Sequence, residues 1–167
     1  NLANGYNGVP TVCGFTLAGK INSAPQEYGS GGPWHRDSFF RQFKSMIYLS
    51  DVGEQNGPFQ LISNSHIPKI KVEDKKKFKL DEMQALFNQD LVTKILEDDP
   101  NRLKTITGKA GTALIVDTSI IHRGMPLKNG NRYALTNYYF EKTQINQHLV
   151  DHFSPLASPK KVLSLAN

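Results

Sequence analysis

The 167-residue sequence has one cysteine, Cys13, so an intrachain disulfide is excluded and a reducing compartment, the cytoplasm, is the expected setting. It has no apolar run approaching the roughly 20 residues that a membrane-spanning helix needs, so no membrane partner is expected. No secretory or transit signal is readable in Asn1-Leu2-Ala3-Asn4-Gly5, which is neither basic nor followed by an apolar stretch. The absence of an initial Met leads to the expectation of a processed or trimmed N-terminus. Glycine (13) and proline (9) are too few for a disordered or fibrous chain, and 38% apolar with 21% charged residues is a globular composition. No repeat or low-complexity tract divides the chain, so residues 1–167 read as one domain.

Acidic charge is also in short supply. Twenty Lys and Arg against fifteen Asp and Glu leave a net charge of +5 and a pI near 9.3. The excess is local, however. Six lysines between Lys69 and Lys79 face only Glu73 and Asp74, so this stretch holds four of the five surplus charges. A nucleic-acid surface spreads its basic residues along a face with aromatics for stacking. Nucleic acid is therefore not an expected partner, and the lysine run reads as a mobile, solvated loop.

Patterning points to short strands. Thr11–Lys20, Lys44–Leu49, Lys104–Thr107, Ala113–Val116, Ile120–His122 and Arg132–Phe140 alternate or run apolar between turn signals such as Asn56-Gly57-Pro58, Gly108-Lys109-Ala110-Gly111 and Asn129-Gly130. On Lys44–Leu49, Met46 and Tyr48 share one face, and Ile47 and Leu49 the other. One helix interrupts them. Met83, Leu86, Phe87, Leu91, Val92, Ile95 and Leu96 recur at helical spacing, with Asp81 as N-cap and Asp98-Asp99-Pro100 as the stop. The residues thus predict an all-β sandwich or barrel with a lysine-rich and helical insert over 67–100.

Several chemistries find no support. Gly29-Ser30-Gly31-Gly32 leads into no helix and no Gly-Lys-Ser/Thr, so it is a connector rather than a phosphate loop. Ser65-His66 lacks a nucleophile elbow, and nothing activates Cys13. Pro33-Trp34-His35-Arg36-Asp37 is more informative. In an extended segment residues i and i+2 share a face, so His35 and Asp37 can offer an imidazole and a carboxylate to one point. A third ligand must come from elsewhere. His66 follows a turn-rich stretch and His148 and His152 lie in an unpatterned tail, whereas His122 ends an apolar strand. Two histidines and one carboxylate form the facial triad of non-haem Fe(II) oxygenases. Ten residues on, Arg132 shares a strand face with Ala134 and Thr136, whose small side chains leave room for an anionic ligand.

These segments resemble the phytanoyl-CoA dioxygenase family of Fe(II)/2-oxoglutarate-dependent oxygenases. The likeness runs through Pro33–Asp37, Met46–Val52 into Asn56-Gly57-Pro58-Phe59, Ser63–His66, Gly111–Asp117, His122 and Arg132–Leu135, covering roughly residues 11–140. The resemblance implies a mainly β fold, a cupin-like double-stranded β-helix (jelly roll). It implies that His35, Asp37 and His122 hold Fe(II), that Arg132 pairs with the distal carboxylate of 2-oxoglutarate, and that Met46 lines the cosubstrate pocket where the family often has tryptophan. Gly124 stands where a small hydroxyl residue is frequent, and Ser63-Asn64 replaces the usual Pro-Gly before Ser-His. Retention of Asp37 argues against halogenating relatives. The implied activity is hydroxylation of a small-molecule substrate with O2, with release of succinate and CO2, and specificity placed in Gln26–Gly32 and Ile67–Pro100. Family members usually extend further at the N-terminus, which makes this chain look truncated. Two rival readings are an isomerase-like metal jelly roll, with no need for Arg132, and a non-catalytic basic binding module.

Overall fold

Short runs with one apolar face bury that face only by packing against another sheet or a helix. This chain uses both solutions. The computed structural model describes residues 2–22, 29 and 32–153, so most of the Gln26–Gly32 segment lies outside the described residues. In chain order the strands are β1 (Thr11–Asn22), β2 (Trp34–His35), β3 (Phe43–Tyr48), β4 (Phe59–Ile62), β5 (Leu86–Phe87), β6 (Leu103–Ile106), β7 (Ala113–Asp117), β8 (His122–Gly124) and β9 (Asn131–Glu141). The helices are α1 (Leu2–Asn7), α2 (Pro68–Phe78), α3 (Gln89–Asp98) and α4 (Gln147–Phe153).

One sheet has the order β1-β9-β3-β7 and the other β5-β2-β8-β4-β6, with antiparallel pairing throughout. Apart from β5, odd-numbered strands lie in the first sheet and even-numbered strands in the second. The chain therefore winds from sheet to sheet as a double-stranded β-helix. Tyr48 ties the two together: its hydroxyl donates to the Ile106 carbonyl at 2.9 Å and accepts from the Phe59 amide at 3.1 Å. Around it, Val52 and Ala134 are buried, with Met46 and Leu114 packed against them. A second core joins the outer face of the five-stranded sheet to the insert, through Trp34, Ile62, Ile121, Leu80, Phe87, Val92 and Ile95.

The insert departs from the sequence expectation twice. The helix expected from Asp81 begins only at Gln89, capped by the Asn88 side chain, which accepts from the Leu91 amide at 2.8 Å. Leu86 and Phe87 instead form β5, paired with His35 and Trp34. Pairing the open edge of β2 and burying Phe87 beside Trp34 outweigh the helical periodicity of the upstream residues, and Met83 sits at φ 54°. The lysine run is not a loop but lies in and just beyond α2. Pro68 fits its first turn, Lys75, Lys76 and Lys77 oppose the negative end of the helix dipole, and Lys79 closes it in the left-handed region. Asp74 anchors this helix through a two-pronged pair with Arg102, at 2.9 and 2.7 Å. His122 also differs from expectation. It opens β8 rather than closing a strand, and Ile120 and Ile121 are buried in the turn before it.

Candidate metal centre

β2 is two residues long, and alternation splits its side chains. Trp34 points into the insert core, so His35 points between the sheets. Its register partner across the sheet is His122. The two rings lie 4.4 Å apart, and Phe59 stacks 5.2 Å from His122. Just beyond β2 the Asp37 amide donates to the Thr118 carbonyl at 3.0 Å, which fixes the backbone beneath its carboxylate.

Both imidazoles are oriented in the same way. His35 Nδ1 lies 2.8 Å from the Pro33 carbonyl, and His122 Nδ1 lies 2.9 Å from the Ile120 carbonyl. A carbonyl can only accept, so each Nδ1 carries a proton, and in the neutral ring the lone pair is left on Nε2. The two Nε2 atoms converge on Asp37, each 3.6 Å from a different carboxylate oxygen. That is too long for a hydrogen bond. It suits donors gathered around a common cation, since ligands on a sphere of roughly 2.1 Å radius lie about 3 Å or more apart. Among the described residues this is the group of His, Cys, Asp or Glu placed to hold a metal, with donor atoms all within 4.8 Å. His66 is not part of it, and His148 is exposed on α4. The side chain of His152 lies outside the described residues.

Electrostatics set the protonation a metal requires. Burial pushes His122 down to about 4 and keeps it neutral near pH 7. Burial also pulls His35 down, but the Asp37 carboxylate and the Pro33 carbonyl outweigh it and leave the group above its ordinary value. Burial would raise Asp37, yet His35, Lys44 and His122 hold it well below the usual carboxylate range. The carboxylate is therefore charged at neutral pH, and at least one imidazole is free to coordinate.

Lys44 belongs to none of the sequence motifs, yet it reaches this cluster. It stands on β3 two residues before Met46, on the same inward face as Met46 and Tyr48, and its Nζ lies 2.6 Å from Asp37 Oδ2. The signal was present: alternation that turns Tyr48 inward turns a lysine inward as well. Arg132 is buried on β9, 4% exposed, with Ala134 on the same face. Its guanidinium donates to the Gly57 carbonyl, while its Nε has no hydrogen-bond partner among the described residues. Burial lowers its pKa, partly offset by Tyr48. Gly57 has φ 68°, and a Cβ there would come within 2.8 Å of the Met125 carbonyl oxygen, so glycine is what that turn admits. Met46 is half-buried beside Tyr48 and pairs with Thr136 and Leu114.

Two interleaved antiparallel sheets carrying a His-x-Asp strand end opposite a second histidine define a cupin-like double-stranded β-helix protein. The family model for phytanoyl-CoA dioxygenase (PhyH) matches residues 3–132, and the chain belongs to that family. No curated protein sequence matches it significantly. Among solved structures, AviO1 from Streptomyces viridochromogenes Tue57 is 18% identical, with 87% of this chain and 57% of AviO1 covered and a TM-score of 0.55. HygX from Streptomyces hygroscopicus, with iron bound, is 13% identical, with 84% and 63% covered and a TM-score of 0.55. HygX has also been solved with nickel and 2-oxoglutarate, and with hygromycin B in addition. SnoN, a non-heme alpha-ketoglutarate-dependent epimerase from nogalamycin biosynthesis, is 13% identical, with 85% and 52% covered and a TM-score of 0.52. At these identities the likeness is one of fold, and this chain spans between 52 and 63% of the length of those three proteins. Among the described residues no helix is long and apolar enough to cross a membrane.

Proposed function

We propose that this protein is an Fe(II)- and 2-oxoglutarate-dependent oxygenase that hydroxylates a small molecule. The observation that carries this reading is the pair of imidazoles whose Nδ1 protons are held by backbone carbonyls while both Nε2 atoms converge on the Asp37 carboxylate. His35, Asp37 and His122 would hold iron and leave its remaining positions to cosubstrate and O2. Bound there, iron and 2-oxoglutarate supply the oxidative chemistry, with the cosubstrate leaving as succinate and CO2.

The chain's own residues bind, orient and shield. Arg132, buried and with donor capacity to spare, suits the distal carboxylate of 2-oxoglutarate, and its fork fixes the direction of that group. Met46 and Ala134 supply apolar wall along the same interior. Phe59 covers one face of His122 and keeps water from it. The carbonyls of Pro33 and Ile120 keep both rings from turning. No general base is required of any side chain.

The fold also serves other outcomes, as the structural neighbour SnoN, an epimerase, illustrates. One experiment separates them. The Fe(II)-loaded protein is incubated with 2-oxoglutarate and a panel of small metabolites, succinate is quantified, and products are weighed by mass spectrometry. Succinate formation with a product heavier by one oxygen is expected. A product of unchanged mass would replace hydroxylation by epimerisation. Absence of any metal-dependent 2-oxoglutarate binding would overturn the oxygenase reading.

A further inference from the structure

Lys44 is placed where a lysine is costly. It is 7% exposed, its Nζ pairs with Asp37 Oδ2 at 2.6 Å, and it lies 3.8 Å from the centre of the Tyr138 ring. A buried ammonium needs a counter-charge, and among the described residues Asp37 is the carboxylate within ion-pair distance of it. That same carboxylate is the anionic member of the His35, Asp37 and His122 cluster. A divalent cation bound there draws on Asp37 and sets two like charges side by side in a medium that screens them poorly. The lysine has little room to retreat, because its strand is central in its sheet, flanked by β9 and β7. An anion beside the metal restores the balance.

We propose that Lys44 is a positioning residue that opposes metal binding at the triad when the metal comes alone and favours it when an anion comes too, its ammonium passing from Asp37 to that anion. Lys44 thereby makes metal and cosubstrate load together. This rests on the metal-centre reading above. The Tyr138 ring provides the surface on which the ammonium sits in either state, since its face attracts a cation whichever anion lies opposite.

The test is calorimetric titration of Ni(II) into wild type, Lys44→Met and Lys44→Arg, each with and without saturating 2-oxoglutarate. Met retains the length of the side chain without the charge. Lys44→Met should bind Ni(II) alone about tenfold more tightly than wild type, and the tightening of Ni(II) binding by 2-oxoglutarate should shrink by about the same factor, within the usual range for coupled sites. Lys44→Arg should behave as wild type. A lysine that merely braces the fold would give the opposite sign, with weaker Ni(II) binding in Lys44→Met. Equal or weaker binding there overturns the proposal. Asp37→Ala separates this failure from a failure of the metal centre: if Asp37→Ala loses Ni(II) while Lys44→Met gains nothing, only the role of Lys44 falls. If Asp37→Ala binds Ni(II) undiminished, the triad is not the metal site, and the proposal falls with it.

Discussion

Arg132 combines deep burial with a guanidinium Nε that no described residue accepts from, and the strongest single-residue prediction follows from that combination. Lysine keeps the charge but not the planar two-donor fork. Arg132→Lys should weaken 2-oxoglutarate binding while leaving metal affinity nearly intact, and Arg132→Ala should weaken it by about 2–5 kcal/mol, mostly from a carboxylate left without its partner. Equal 2-oxoglutarate dissociation constants in all three proteins would remove Arg132 from the site. Asp117 makes a prediction about pH. Burial would raise its pKa, but the Tyr6 hydroxyl and the amides of Ser119 and Gln42 all donate to it and hold it below the ordinary value. A carboxylate depressed in the folded state contributes stability above its unfolded pKa, near 3.9, and loses it as pH falls through the folded value. Asp117→Asn should therefore cost about 1–2 kcal/mol near pH 7. Denaturation midpoints should show that gap closing only below about pH 4. At this scale the sequence was legible where chemistry is local. The His35 and Asp37 pair follows from two-residue alternation, but the contact of Lys44 with Asp37 joins separate strands and depends on how the sheets face, which no local spacing encodes.

The elements of the insert carry unequal weight. Lys75 pairs with Glu82 and Lys77 with Asp98 at the surface, and such pairs contribute little. Neutralising Lys75, Lys76 and Lys77 together should change stability by about 0.5 kcal/mol or less. Asp74, by contrast, is buried against Arg102 and fastens α2 to the residues leading into β6. Asp74→Ala leaves that guanidinium unpaired and should cost about 3–5 kcal/mol, read as a fall in the urea midpoint. A loss no larger than that of the lysine variant would mean that α2 is held by Leu80 and its neighbours alone. The lysine run shows how charge composition can point to the wrong element type. Charge composition suggested a solvated loop, and the helix depends on a proline start, a left-handed end and one buried aspartate, signals that composition does not register. Leu86 and Phe87 fit the helical period equally well as a strand edge, since two residues carry no period of their own, and burial against Trp34 decided between them.

At the scale of the whole molecule, the alternation of short strands between turns indicated a two-sheet protein, while the winding of odd and even strands onto opposite sheets depends on long-range pairing. That winding gathers the triad and Arg132 between the sheets, so ligands should be felt by the entire fold. Ni(II) with 2-oxoglutarate should raise the melting temperature more than either alone, and each ligand at about 100 times its dissociation constant contributes roughly 2.7 kcal/mol. No shift from 2-oxoglutarate in the presence of metal would favour the isomerase-like reading. The register pairing of His35 with His122 has a further consequence. These residues are 87 positions apart, and the insert with both its helices hangs within that interval. A metal bound between them is a clasp on a long loop, a reversible cross-link of the kind a cysteine-poor chain otherwise lacks. A single cut in the insert would then leave two fragments still fastened by coordination bonds, and a chelator would act as the reducing agent does on a disulfide.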